Sequence, residues 1–232
     1  ERPPAAGLTF SPSRFCCAWR ARPFPDYSAA LEPLAALAMV TVGFRVHGAR
    51  EGRLPKAFLD PACGTGTLAA AAHYCGGGTG LRVFAGDISS TMAPRAAANL
   101  ESLFPGCVED QTRRDIGDGV PSTEEAIITV RRWDATQRWP MPATLPGVAA
   151  DGAGLLVAAN LPWGRSLGGQ EEDAAEIVRC LAREFPHATL CFVAPASLLG
   201  EGVRTAGLRV LHQAPVGKRA VLLVVCGGET DG

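Results

Sequence analysis

Lys56-Ala57-Phe58-Leu59-Asp60-Pro61-Ala62-Cys63-Gly64-Thr65-Gly66-Thr67-Leu68-Ala69 is the stretch that decides the fold of this 232-residue chain. A short apolar run ends in an acidic residue, two glycines follow, and a helix-forming run, Leu68 to Tyr74, comes next. The order is strand, tight loop, helix. Closely spaced glycines let the backbone approach a ligand, and a helix start offers N–H groups with no partner inside the helix. Gly64 to Ala69 also satisfies the dinucleotide fingerprint G-x-G-x-x-A, which alone is weak evidence. Asp60 sharpens it. A carboxylate just before the glycines repels a pyrophosphate and suits a cationic ligand, such as an amino group or a sulfonium.

Downstream the same grammar repeats. Seven strand candidates occur, at 56–60, 81–86, 127–133, 154–159, 188–194, 207–213 and 219–226. Helix candidates lie between them at 66–75, 90–103 and 171–185. Strands alternating with helices imply a mostly parallel sheet covered on both faces. The last two strands are separated only by Ala214-Pro215-Val216-Gly217-Lys218, too short for a parallel crossover. The expected fold class is therefore α/β, Rossmann-like, with a seven-stranded mostly parallel sheet and an antiparallel last hairpin. Residues 104–126 read as an insertion-like loop, and 164–170 as a second loop.

Upstream, residues 1–27 are rich in Pro and Arg and read as irregular. A leading helix is predicted over Ala29 to Val46, with Ser28 as a possible cap and Pro33 tolerable only near its first turn. We expect residues 1–55 to be an N-terminal segment that ends an upstream region, and 56–232 to be the ligand-binding domain. The chain does not begin with Met, which is the expectation for a fragment or a processed protein.

Two further strand ends carry chemistry. Asp87 closes the second strand 21 positions after Gly66, about where an acidic residue meets ribose hydroxyls; the alternative is a cap for the helix that follows. Asp134, after Trp133, could accept a hydrogen bond from an adenine amine or simply shape a turn. Asn160-Leu161-Pro162-Trp163-Gly164 follows the fourth predicted strand and is the most specific signal in the chain. Asn160 Oδ1 and a carbonyl of Leu161 or Pro162 can accept the two hydrogens of an exocyclic amine. Trp163 can stack on the base, a contact worth roughly 1–3 kcal/mol. Pro162 fixes its own φ and holds Leu161 extended, which aims those carbonyls.

Taken together, DPACGTGT from Asp60, the Asp87 of FAGD, WDATQRWPMP from Trp133 and NLPWG from Asn160 resemble the class I S-adenosylmethionine-dependent amino-methyltransferases. NLPWG and DATQRWPMP resemble more narrowly the catalytic domain of the THUMP-containing tRNA guanine-N2 methyltransferases. The resemblance covers about residues 25–226. It implies a methyltransferase domain that uses S-adenosyl-L-methionine and methylates the N2 amine of a guanine in tRNA. It implies cofactor contacts from Asp60, Pro61, Cys63, Gly64, Thr65, Gly66, Thr67, Asp87, Ile88, Asp134, Ala135 and Asn160. Asn160, Leu161, Pro162 and Trp163 would receive the target base. Ribosomal RNA guanine, adenine N6, a protein glutamine, or a catalytically inert binding subunit are the alternatives.

Charge bears on the partner. Residues 1–56 hold eight basic and four acidic groups, net +4, while the rest nets −5, so the whole chain is at −1. A near-neutral balance argues against a free-standing nucleic-acid binder that relies on charge alone. Arg14, Arg20, Arg22, Arg132 and Arg138 are the candidate RNA contacts, and an RNA-binding domain or subunit outside this sequence is expected to supply most of the affinity. Eight Cys form no C-x-x-C, and no His pair sits at ligand spacing, so no metal is expected. The longest nearly apolar run, Leu34 to Phe44, is short of the roughly 20 residues a bilayer span needs, and the start lacks a signal-peptide pattern. A cytoplasmic location, or an organelle, with reduced thiols is the expectation.

Overall fold

Phe58 faces one side of a sheet while Ala57 and Leu59 face the other, and all three are fully buried. Burial on both faces is the signature of an interior parallel strand. The computed structural model describes residues 12–20, 31–76, 79–112, 127–137, 148–161, 171–216 and 220–227. Its elements run α1 (Pro12–Arg20), α2 (Pro33–Glu51), β1 (Ala57–Asp60), α3 (Thr67–Gly76), β2 (Arg82–Asp87), α4 (Met92–Leu103) and β3 (Val108–Gln111). They continue with β4 (Ile128–Arg132), β5 (Leu155–Asn160), α5 (Glu171–Glu184), β6 (Thr189–Ala194), α6 (Ala196–Thr205), β7 (Leu208–Val216) and β8 (Ala220–Gly227).

The sheet order is β3-β4-β2-β1-β5-β6-β8-β7. Pairs from β3 through β6 are parallel, and β8 is antiparallel to both β6 and β7. The α/β class and the reversed final hairpin hold as expected. The strand count is eight rather than seven. The extra strand, β3, lies inside the stretch read as a loop, and pairs from Val108 with Ile128 to Gln111 with Arg131. Val-Glu-Asp-Gln has no apolar alternation, because an edge strand with little buried surface needs none.

Two apolar layers enclose the sheet. Side chains of α1, α2, α3 and α4 pack on one face with Phe58, Val83, Leu156 and Val193. Side chains of α5 and α6 pack on the other with Leu59, Phe84, Val157 and Phe192. The leading helix thus belongs to the core of the sheet. It starts at Pro33 rather than Ala29, because a proline without an N–H fits the first helical position. Glu32, not Ser28, caps it, accepting from Leu34 N–H at 2.9 Å and Ala35 N–H at 3.2 Å; Ser28 lies outside the described residues. At its far end His47 Nδ1 meets Thr189 Oγ1 at 3.0 Å, and Arg50 donates to the carbonyls of His187 and Ala188.

Two helices depart from the sequence expectation. Pro12–Arg20 is helical rather than irregular, with Phe15 and Trp19 buried one turn apart and Phe15 against Tyr74 of α3 at 5.2 Å. Helix α6 has no counterpart among the helix candidates, and Gly200 and Gly202 weaken its helical pattern. Gly202 is there for close approach. A Cβ on it would sit 3.2 Å from Val178 and 3.3 Å from Ala175 of α5.

Candidate functional site

Strand β1 has β2 on one side and β5 on the other, so the chain winds outward in both directions from it. Such a reversal opens a crevice at the carboxyl ends of the strands, where α/β proteins bind ligands. Asp60 ends β1, Asp87 ends β2, Trp133 and Asp134 follow β4, and Asn160 ends β5. The structure therefore brings these strand-end residues to one end of the sheet.

Asp60 is 1% exposed, and its Oδ1 has no hydrogen-bond partner. Burial pushes its carboxyl well above the usual carboxylate range; an Ala62 N–H bond opposes this and the nearby Asp87 charge adds to it. A lone buried carboxylate is costly unless a cation arrives to meet it. Cys63, beside it, is a buried thiol pushed well up by burial and by the two aspartates. Its side chain packs in the core layer with α3 and α4.

The loop between β1 and α3 is braced from outside. Cys63 N–H donates to Gly86 carbonyl at 2.8 Å, and Gly66 N–H to Cys63 carbonyl at 2.7 Å. Gly64 N–H donates to Asp87 Oδ2 at 2.8 Å. Gly64 and Gly66 both take positive φ, 53° and 89°, where a side chain is strained. Around a Cβ at Gly64 there is open space within 4 Å, whereas a Cβ at Gly66 would meet Leu100 at 3.2 Å. Gly64 therefore leaves room for a ligand, and Gly66 lets α4 approach. Pro61, Thr65 and Thr67 are buried behind the loop, and Thr65 Oγ1 has no partner.

Asp87 Oδ1 accepts from Ser89 N–H at 2.9 Å. Ser89 Oγ, not Asp87, then accepts from Thr91 and Met92 at the start of α4. The Asp87 carboxyl is raised by burial, and the bonds from Ser89 and Gly64 counter this. Ile88 is 57% exposed, an apolar side chain facing solvent at the crevice edge. Arg132 Nε donates to the Ile88 carbonyl at 3.1 Å, so this arginine holds the turn that carries Asp87. Trp133 N–H donates to Asp87 carbonyl at 3.0 Å. Asp134 Oδ1 accepts from Thr136 N–H at 2.9 Å and from its hydroxyl at 2.7 Å, so this oxygen shapes a turn. Ala135 is buried.

Asn160 is half-buried. Leu161 is 1% exposed, packs in the core and donates its N–H to Val193 carbonyl at 3.0 Å. That anchor fixes where the next residues leave the sheet. Pro162, Trp163, Arg22 and Arg138 lie outside the described residues, as does the side chain of Arg20. Arg14 is exposed on α1. Among the described residues no cluster of His, Cys, Asp and Glu is arranged to hold a metal, and no helix is long and apolar enough to cross a membrane. One residue of the site escaped the sequence reading. Asn99, a polar side chain in the apolar run Ala96-Ala97-Ala98-Asn99-Leu100, is fully buried and donates Nδ2 to Thr65 carbonyl at 3.1 Å.

No protein-family profile and no curated protein matches the chain. Solved structures do. One is a Listeria monocytogenes protein described as a predicted N6-adenine-specific DNA methylase, with TM-score 0.59, 17% identity, and 90% of this chain aligned to 54% of it. TrmN from Thermus thermophilus aligns with TM-score 0.55 and 19% identity, over 93% of this chain and 53% of its own. A SAM-dependent methyltransferase from Aquifex aeolicus aligns with TM-score 0.50 and 15% identity, over 94% of this chain and 98% of its own. The chain thus spans about half the length of the first two and nearly all of the third. At these identities the likeness shows the architecture: this chain has the Rossmann-like fold of the S-adenosylmethionine-dependent methyltransferases.

Proposed function

We propose that the chain is the catalytic part of a nucleic-acid methyltransferase that uses S-adenosyl-L-methionine and methylates the N2 amine of a guanine in tRNA. The observation that carries the cofactor is Asp60: a buried carboxylate with an unpartnered oxygen, next to Asp87, with no salt bridge reaching it among the described residues. Such a site attracts a cation. The exposed Ile88 and the half-buried Asp134 border the same crevice and suit a purine and its amine.

When bound, the cofactor supplies an electrophilic methyl group on a sulfonium. Asp60, Gly64 and Gly66 would hold its charged amino-acid end, and Asp87, which accepts from Gly64 and Ser89 N–H, would accept from the ribose hydroxyls with its remaining lone pairs. Asn160 Oδ1 and the carbonyl of Leu161 or Pro162 accept the hydrogens of the target amine. An exocyclic amine is a poor nucleophile because its lone pair is delocalised into the ring. Two acceptors on its hydrogens localise that pair. Positioning does most of the rest, and it can supply about 7–11 kcal/mol. The nitrogen becomes acidic after attack, so no strong base is required beforehand. Trp163 stacks on the base, which must be unpaired or flipped out.

The guanine assignment rests on the resemblance of NLPWG and DATQRWPMP, and the RNA partner on the same motifs with the basic N-terminal segment. The test is methyl transfer to tRNA by wild type and Asn160→Ala, read by mass spectrometry of the nucleosides. N2-methylguanosine from wild type and at least a hundredfold loss in Asn160→Ala are expected. Equal activity of the two would overturn the role of Asn160, and N6-methyladenosine as product would overturn the guanine assignment.

A further inference from the structure

We propose that Asn99 is a positioning residue for the candidate site: from α4, it sets the glycine loop in the shape that receives the cofactor. The inference rests on the reading of the loop as a cofactor cradle. Asn99 lies on a different element from the loop, 34 positions away in sequence, and its side chain is fully buried. A buried amide in an apolar helix face is costly unless its groups are bonded. Its Nδ2 donates to the Thr65 carbonyl, part of the Thr65–Gly66 peptide. The same helix turn supports the loop sterically. Leu100 and Ala96 would lie 3.2 and 3.4 Å from a Cβ at Gly66, so α4 is seated against the loop at the residue after Thr65.

Without that bond the Thr65–Gly66 peptide keeps one hold, the Gly66 N–H bond to the Cys63 carbonyl at 2.7 Å, and no other side chain among the described residues bonds its carbonyl. Gly66, on one side of this peptide, has broad conformational freedom, so losing one of the two holds lets the peptide reorient. Asp87 holds the other side of the loop through Gly64 N–H at 2.8 Å. Asn99 and Asp87 thus grip consecutive parts of one loop from the β2–α4 unit. Asp87 is itself a ligand contact in this reading. Asn99, behind the loop, acts only through it.

The experiment compares wild type, Asn99→Ala, Asn99→Leu and the control Leu181→Ala, a core truncation in α5 on the opposite face of the sheet. Asn99→Leu keeps the branched shape of the side chain, suits the apolar surroundings and cannot donate to Thr65, so it decides the question if Asn99→Ala does not fold. The first readout is amide hydrogen exchange in the ligand-free proteins. Exchange at residues 64–67 is expected to quicken at least tenfold in the Asn99 variants and not in Leu181→Ala. The second is titration with S-adenosylhomocysteine, where Kd is expected to rise tenfold or more in the Asn99 variants alone. The cofactor KM is expected to rise with Kd while kcat at saturating cofactor stays within about threefold. Unchanged exchange at 64–67 would overturn the positioning role whatever the ligand result. Wild type that does not bind S-adenosylhomocysteine at all would overturn the methyltransferase reading instead, and the exchange data would still decide whether Asn99 holds the loop.

Discussion

Asp60 illustrates how a buried carboxylate can work against stability. Its folded carboxyl is raised by burial, so the folded state keeps a proton that the unfolded chain has already lost. The stability it contributes is therefore present below the ordinary carboxylate value and is lost as pH rises toward the folded value. Asp60→Asn removes this decline. In the ligand-free protein at pH 7.5 we expect Tm to rise. The same variant should bind S-adenosylmethionine at least tenfold more weakly, as calorimetry would show. A lower Tm would mean that Asp60 is satisfied in the free protein. Asp60, Asp87 and Asn160 were legible in the sequence because each sits at a strand end beside a glycine or proline signal. Asp134 was legible as a pair of alternatives; the bonds from Thr136 to one of its oxygens realise the turn. Arg132 was read as an RNA contact, but its bond to Ile88 carbonyl is a long-range pairing that no spacing rule reveals.

At the scale of the element, helix α2 is the clearest case of tertiary anchoring. His47 is buried against Thr189, and its pKa is lowered to about 4, first by burial, with Arg50 and Arg53 lowering it further and Glu51 opposing. The unfolded chain takes up a proton near pH 6.5 while the folded protein does not. His47 therefore supports the fold above pH 6.5, and that support falls away as pH drops toward 4. Denaturant unfolding should show a loss on the order of 2 kcal/mol between pH 7.5 and 5 from this residue. His47→Gln should be less stable at pH 7.5 and should lose less on acidification; an equal pH dependence in the two proteins would show that His47 is not the source. The helix itself was visible in the sequence, but its register was not. Pro33 was recognised as a first-turn residue, yet the cap was assigned upstream, at Ser28, because a glutamate ranks low among capping residues. Helices α1 and α6 were hidden for a related reason: each is stabilised mainly by partners, Tyr74 for Phe15 and the α5 surface for Gly202, rather than by its own pattern.

For the whole molecule, the two halves of the charge distribution point to division of labour. A net charge of −1, with +4 in residues 1–56, leaves little general attraction for phosphate. The chain alone is expected to bind tRNA weakly and with strong salt dependence. Neutralising about four phosphates corresponds to a slope near −3 in a plot of log K against log salt. Filter binding or fluorescence anisotropy across 50–300 mM salt would check this, and tight binding indifferent to salt would contradict it.

By itself the sequence determined the alternation of strands and helices, the glycine loop, the reversed final hairpin and the acidic strand ends. These are local: they follow from period, spacing and the conformational limits of Gly and Pro. The eighth strand, the buried Asn99 behind the glycine loop, the Arg132 brace and the His47–Thr189 pair were decided only by tertiary structure. Each joins residues far apart in the chain, and such pairs are selected by burial and hydrogen bonding after the sheet has assembled.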